Sequence, residues 1–244
     1  MFDLFKFRLP IAVTNQLIEK LESLVATPLT RADLDRLAEF QRKHEMQAGV
    51  YVLYLDGVAV YAGKAEGLLE RLHQHLEKIR GRVILAEKEV RYKALLLDEN
   101  WSTSANEDLL IRHFKERGEC EWNKSGFGPK DPGKNRDGYQ PNKFDTLYPI
   151  NTEWPILRVS DAMTVGEVLV LMKEQLPYTM RYELPAADFR MKFKLKGVPR
   201  TAMGLASAIA KHLGEEYEFM LFKSHMVLYR SKKQYAHGAR LVAR

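Results

Sequence analysis

Apolar residues near the start of the chain recur at helical spacing, at Leu17, Ile18, Leu21 and Leu24, with Asn15 available as a cap. Thr30 precedes a second helical pattern that runs to about His44 on a stripe of Leu34, Leu37 and Phe40. From Gly49 to Gly63 the pattern switches to β-rich runs on either side of Asp56-Gly57, which predicts a hairpin. A helix is expected from about Gly67 to Arg80, with Leu68, Leu72, Leu76 and Ile79 buried. A strand near Val90 to Leu97 and a helix from Ser104 to Arg117 follow. The stretch from Lys124 to Lys143 is too rich in Gly, Pro, Asn and Asp to predict regular structure. Beyond Pro149 the pattern restarts. Helices at Thr164–Leu176 and Thr201–Leu213 are each followed by two strands, Met180–Leu184 with Phe189–Leu195 and Tyr217–Phe222 with Met226–Tyr229, a weak internal repeat.

These elements imply an α+β protein: a small, antiparallel-containing three-stranded sheet flanked by helices, with N-terminal helices and a small C-terminal α+β domain. The expected divisions are a helical segment at 1–48, a core at 49–148 and an extension at 149–244. Composition adds that no apolar run reaches the roughly eighteen residues of a membrane span, so no membrane partner is expected. The apolar start is broken by Asp3, Lys6 and Arg8 and lacks a small-residue cleavage site, unlike a signal peptide. The single cysteine, Cys120, excludes an internal disulfide and a cysteine-rich zinc site, which makes a reducing, cytoplasmic location the default. It has no paired base nearby and reads as a buried thiol. A net charge of +6 favours polyanionic partners. The charge is uneven. Lys223, Arg230, Lys232, Lys233, Arg240 and Arg244 form a tail without acids, and Lys124, Lys130, Lys134, Arg136 and Lys143 lie in the Gly/Pro-rich stretch.

Several residues around the hairpin carry chemistry. Tyr51 and Tyr61 lie in its two strands, and Lys64 follows the second. Arg71 and His75 are four apart, hence neighbours on one helix face, about 100° from the leucine stripe. Glu107 falls within the stripe of Leu110, Ile111 and Phe114. A carboxylate there is either paired or coordinated, or a first-turn glutamate favoured by the helix dipole. Asn123 follows Trp122, just before the Gly-rich stretch.

The ordered series Gly49-Val50-Tyr51, Tyr61-Ala62-Gly63, Lys64, Arg71, His75, Glu107 and Asn123 resembles the motifs of the GIY-YIG nuclease family over roughly Gly49 to Asn123. The resemblance implies a metal-dependent endodeoxyribonuclease. Glu107 would be the ligand of Mg2+, for which Mn2+ would substitute. Tyr51 is the favoured base, with Tyr61 and Lys64 tuning it, Arg71 and His75 holding the scissile phosphate, and Asn123 supporting the site by hydrogen bonds to the hairpin or the phosphate. A tyrosine acts as base if nearby cations lower its pKa from about 10. The spacing from Glu107 to Asn123 is longer than in compact members, and His75 stands where the excision-repair branch often has tyrosine. The region after Asn123 is similar to that of type II restriction enzymes of the family whose known members cut the palindrome CCGCGG.

That branch implies double-stranded DNA as partner and a homodimer on palindromic DNA. The loop at 124–143 and the basic tail, through Lys124, Lys130, Lys134, Arg136, Lys143, Arg230, Lys232 and Lys233, would contact phosphates. The extension at 149–244 would bind DNA or dimerise. The alternatives are a structure-specific repair or mobile-element nuclease, and a non-catalytic DNA- or RNA-binding protein that keeps the fold. Strand parity adds a constraint. With a simple two-residue turn at Asp56-Gly57, Tyr51 and Tyr61 end on opposite faces of the hairpin. A shared site therefore predicts a three-residue connection with Gly57 in the left-handed region.

Overall fold

The computed structural model describes residues 9–85, 88–97, 104–128, 131–230 and 235–241, and for 9–11 and 104–108 the backbone alone. The fold is α+β with two sheets in two compact units, Met1–Leu76 with Glu87–Gly128, and Glu77–Ala86 with Pro129–Arg244. The division between the units falls within the Gly/Pro-rich stretch, after Gly128.

The first unit begins with α1 (Leu9–Ser23), β1 (Thr27–Pro28) and α2 (Arg31–His44). Asn15 is inside α1 and does not cap it. Thr30 does cap α2, accepting from the Asp33 amide. The hairpin strands β2 (Gly49–Leu55) and β3 (Val58–Ala65) are followed by α3 (Leu68–Arg80), β4 (Val90–Leu96) and α4 (Ser104–Glu116). The sheet has four strands in the order β1-β4-β2-β3, all antiparallel, rather than the expected three. The extra strand is only two residues long and ends in proline. Proline has no amide to donate, so such a segment fits only a sheet edge, and it leaves no hydrophobic alternation to read.

The hairpin turn corrects a second expectation. Leu55 pairs with Val58, and Asp56 and Gly57 both have positive φ, 51° and 83°, so the connection is the simple two-residue form. Parity shifts elsewhere. Leu53 pairs with Tyr61 but Tyr54 pairs with Ala59, leaving Val60 as an extra residue in a β-bulge. The Ala59 and Val60 carbonyls both turn to the open edge of β3, where they accept from the amides of Cys120 (2.7 Å) and Trp122 (2.8 Å). In a regular strand consecutive carbonyls point opposite ways. Beyond the bulge Tyr51 pairs with Gly63 and Leu53 with Tyr61, so both tyrosines share a face. The other face carries Val50, Val52 and Ala62, which pack with Ile18 and Leu21 of α1 and Leu110 and Phe114 of α4.

In the second unit, α5 (Lys143–Leu147), α6 (Val165–Gln175), β5 (Thr179–Glu183), α7 (Ala186–Phe189), α8 (Ala202–Leu213), β6 (Glu218–Leu221), β7 (His225–Tyr229) and β8 (Ala239–Arg240) build a sheet in the order β5-β7-β6-β8. Strand β5 runs parallel to β7, and the other pairs are antiparallel. Thr164 and Glu167 form a reciprocal capping box on α6, and Thr201 caps α8. The repeat is incomplete. Where a strand was expected at Phe189–Leu195 there is the end of the short α7, then one isolated bridge between Thr164 and Lys192. Helices α6 and α8 cover one sheet face through Val168, Leu169, Met172, Leu205 and Ile209, against Phe219, Met226 and Leu228.

Beyond Gly128 the Gly/Pro-rich stretch is built into this unit. It forms a 3-10 turn at Gly133–Gly138, and Asp137 within it is buried. The sheet face away from α6 and α8 presents Arg181, His225 and Tyr229. All three converge on Asp137, His225 through Nε2 at 2.8 Å, the Tyr229 hydroxyl donating at 3.2 Å and Arg181 by an ion pair. Nearby, buried Arg82 and Asp145 approach to 2.9 Å, and Arg136 donates to the same carboxylate at 2.7 Å. These charges are buried because each is paired.

Burial, with Arg181 beside it, lowers the pKa of His225 from the ordinary 6.5 to about 4, although Asp137 works the other way. The unfolded chain therefore takes up a proton near 6.5 that the folded chain refuses until about 4. The stability contributed by neutral His225 is complete above 6.5 and is lost as pH falls to 4. Denaturant unfolding is expected to show stability falling across that window. His225→Gln should make the slope shallower by up to about 1.4 kcal/mol per pH unit, the limit for one proton. An unchanged slope in the variant would contradict the assignment.

Candidate active site

The tyrosine face of the first sheet meets α3. The Tyr51 hydroxyl lies 2.7 Å from Nε2 of His75, and the two side chains are 0% and 2% exposed. The Tyr61 ring lies 6.0 Å from that of Tyr51 and 5.2 Å from that of His75, centroid to centroid. Gly63 is opposite Tyr51 in the ladder. A Cβ at this position would come within 2.7 Å of the Tyr51 hydroxyl and 3.0 Å of the Tyr61 ring, so the close approach requires glycine.

Arg71, one turn before His75, reaches across the site. Its guanidinium donates to the carbonyl of Gly128 at 2.6 Å and to the Gln74 side chain at 3.1 Å. Burial opposes its charge, yet Tyr51 and Tyr61 together outweigh burial and raise its pKa, so the cation persists. Among the described residues Arg71 has no carboxylate partner; its acceptors are neutral oxygens. A half-buried cation held in this way is poised to receive an anion.

Burial dominates the proton chemistry of Tyr51. It pushes the phenol far above the ordinary tyrosine range, Tyr61 adds to the rise, and Arg71 opposes it. The expectation that surrounding cations depress this pKa is therefore reversed. The phenol is neutral at neutral pH, and its 2.7 Å partner is an imidazole nitrogen able to take its proton.

Asn123 works on the open edge of β3. Its side-chain oxygen accepts from the Ala62 amide at 2.9 Å, and its nitrogen donates to the Ala62 carbonyl at 2.8 Å. One amide side chain thus replaces a missing strand beside the residue next to Tyr61.

Other candidates stand apart. Lys64 pairs with Val50, whose side chain lies in the α1–α4 cluster, so its register position is on the face opposite Tyr51. Glu107 lies in the α4 backbone, and its side chain is outside the described residues. Leu110 and Phe114, further along that helix, pack on the same opposite face. Among the described residues no group of three or more His, Cys, Asp or Glu is placed to hold a metal. The described donors beside Tyr51 are phenols, imidazole, guanidinium and amides, a poor set for a hard cation that prefers carboxylate oxygen. The fit to Mg2+ therefore rests on Glu107 alone. The Cys120 thiol is buried and pushed up to about 12 by that burial, an inert group rather than a nucleophile.

Of the basic residues expected on DNA, Lys130, Lys232 and Lys233 lie outside the described residues. Lys134 is ion-paired with Glu183, Arg136 with Asp145 and Arg230 with Glu216. Arg136 in particular holds the second unit together. Lys124 and Lys143 are exposed.

Two residues of the site escaped the sequence reading, Phe127 and Gly128. Phe127 is stacked on His75, with centroids 4.7 Å apart and planes 14° apart, and meets Tyr61 edge-on at 5.2 Å. A Cβ at Gly128 would come within 2.6 Å of the Tyr61 hydroxyl. The available signal was a single phenylalanine between two glycines at the head of a polar stretch.

No protein-family model matches this chain, and none of the curated proteins does either. No described helix is long and apolar enough to cross a membrane.

Asn123→Ala would strand two buried backbone groups at Ala62. It is expected to destabilise the protein by about 2 to 4 kcal/mol, measured by denaturant unfolding. A loss under about 0.5 kcal/mol would show that the amide does not serve as a strand substitute.

Proposed function

We propose that the protein is a DNA endonuclease of the GIY-YIG type, acting as a type II restriction enzyme on double-stranded DNA as a homodimer. The observation that carries this reading is the hydrogen bond between Tyr51 and His75, with Tyr61 on the same sheet face and an Arg71 cation beside them that has only neutral acceptors. In the reaction, Tyr51 takes a proton from the attacking water as its own proton passes to Nε2 of His75. This concerted transfer avoids a free phenolate, which burial makes costly. Arg71 balances the charge that grows on the phosphate oxygens. Asn123 keeps β3, and with it Tyr61, in place. Glu107 is the residue that would hold Mg2+, which when bound supplies a polarised water and a counter-charge. The exposed Lys124 and Lys143 would contact the DNA backbone.

A second reading has an observation of its own. Leu110 and Phe114 seat α4 on the face away from the tyrosines, which favours a protein that binds nucleic acid with a purely structural tyrosine cluster. Plasmid digestion with Mg2+ separates the readings. The nuclease reading expects discrete fragments from the wild type, and from Glu107→Ala no cleavage but retained DNA binding. A smear or branch-specific nicking would point to a repair or mobile-element nuclease. Binding without any cleavage by the wild type would favour the second reading. Continued cleavage by Glu107→Ala would overturn the metal assignment.

A further inference from the structure

The Gly/Pro-rich stretch begins as Ser125-Gly126-Phe127-Gly128, and its only aromatic ring there does not face solvent. Phe127 is 1% exposed. It lies flat on His75 at 4.7 Å, edge-on to Tyr61 at 5.2 Å, and is backed by Trp122 at 4.8 Å. The flanking glycines allow this. Gly126 has a φ of 101°, and Gly128 passes so close to the Tyr61 hydroxyl that a side chain there would collide with it.

We propose that Phe127 is a positioning residue for His75: its ring face fixes the plane of the imidazole so that Nε2 stays directed at the Tyr51 hydroxyl. An imidazole lone pair lies in the plane of the ring, so tilting the ring turns the acceptor away from the phenol. His75 projects from a helix, and its terminal torsion is broad and not held by rotamer preference alone. A parallel aromatic surface on one side, backed by the Trp122 indole, supplies the missing restraint. The same surface shields that side of the imidazole from water. Phe127 takes no part in the proton transfer itself and acts through His75.

The consequence for catalysis rests on the proposed nuclease reading, but the restraint itself can be observed without DNA. Phe127→Met keeps most of the apolar volume and removes the flat face. In the wild type, the His75 ring protons should be shifted upfield in the proton NMR spectrum by the Phe127 ring, and one imidazole tautomer should dominate the ring-nitrogen spectrum. In Phe127→Met the upfield shift should vanish and the two tautomers should average. Single-turnover DNA cleavage should fall about tenfold to a hundredfold, the cost of misaligning a reacting pair, with KM for DNA unchanged and the pH profile displaced. A purely structural role would lower stability and leave the pH profile and tautomer balance alone. Wild-type His75 protons without an upfield shift would overturn the proposal, even if the variant failed to fold. So would a folded Phe127→Met with unaltered His75 signals. Altered signals in a protein that cuts no DNA would leave the restraint standing and remove the nuclease reading instead.

Discussion

The site depends on one extra residue in one strand. Val60 bulges out of β3, and this changes the parity of everything beyond it. Without the bulge, the two-residue turn at Asp56-Gly57 would send Tyr61 to the face of the sheet that packs against α1 and α4. With it, Tyr51 and Tyr61 share the face that meets α3 and His75. The same bulge turns two consecutive carbonyls to the open edge. The chain from Cys120 to Asn123 pairs with that edge and continues directly into Phe127. Edge protection and site assembly are therefore one feature of the backbone.

Burial then sets the chemistry. A phenol withdrawn from water resists ionisation, so in the proposed mechanism Tyr51 would carry a proton only because His75 is within hydrogen-bonding distance. Arg71 is the counterpart. Its charge survives partial burial because the phenols favour it, and among the described residues its acceptors are neutral. The second unit shows the opposite solution. Its buried Arg82 and partly buried Arg136 and Arg181 each already hold a carboxylate, so they serve the fold rather than a ligand.

The parts legible in the sequence were those governed by local rules. Apolar periodicity placed α2, α3, β4 and α4 to within a few residues, and Thr30, Thr164 and Thr201 marked helix starts as side-chain caps. The neighbouring positions of Arg71 and His75 followed from helix geometry. The parts not legible were set by distant contacts. The bulge at Val60 sits in an unbroken apolar run that carries no sign of an extra residue. The two-residue β1 has no periodicity at all. The loop at 124–143 looked like free cationic chain because its acidic partners, Asp145 and Glu183, lie in other elements. Phe127 was hidden by the composition around it. A local composition that forbids regular structure says nothing about whether the segment is packed.

The proposed nuclease mechanism requires proton transfer from Tyr51 to His75. The most direct measurement is the single-turnover cleavage rate of Tyr51→Phe, which removes one oxygen and keeps the buried ring. The account predicts a loss of about a hundredfold or more, the usual worth of a positioned acid–base group, with DNA affinity retained. Cleavage by Tyr51→Phe at the wild-type rate would contradict it.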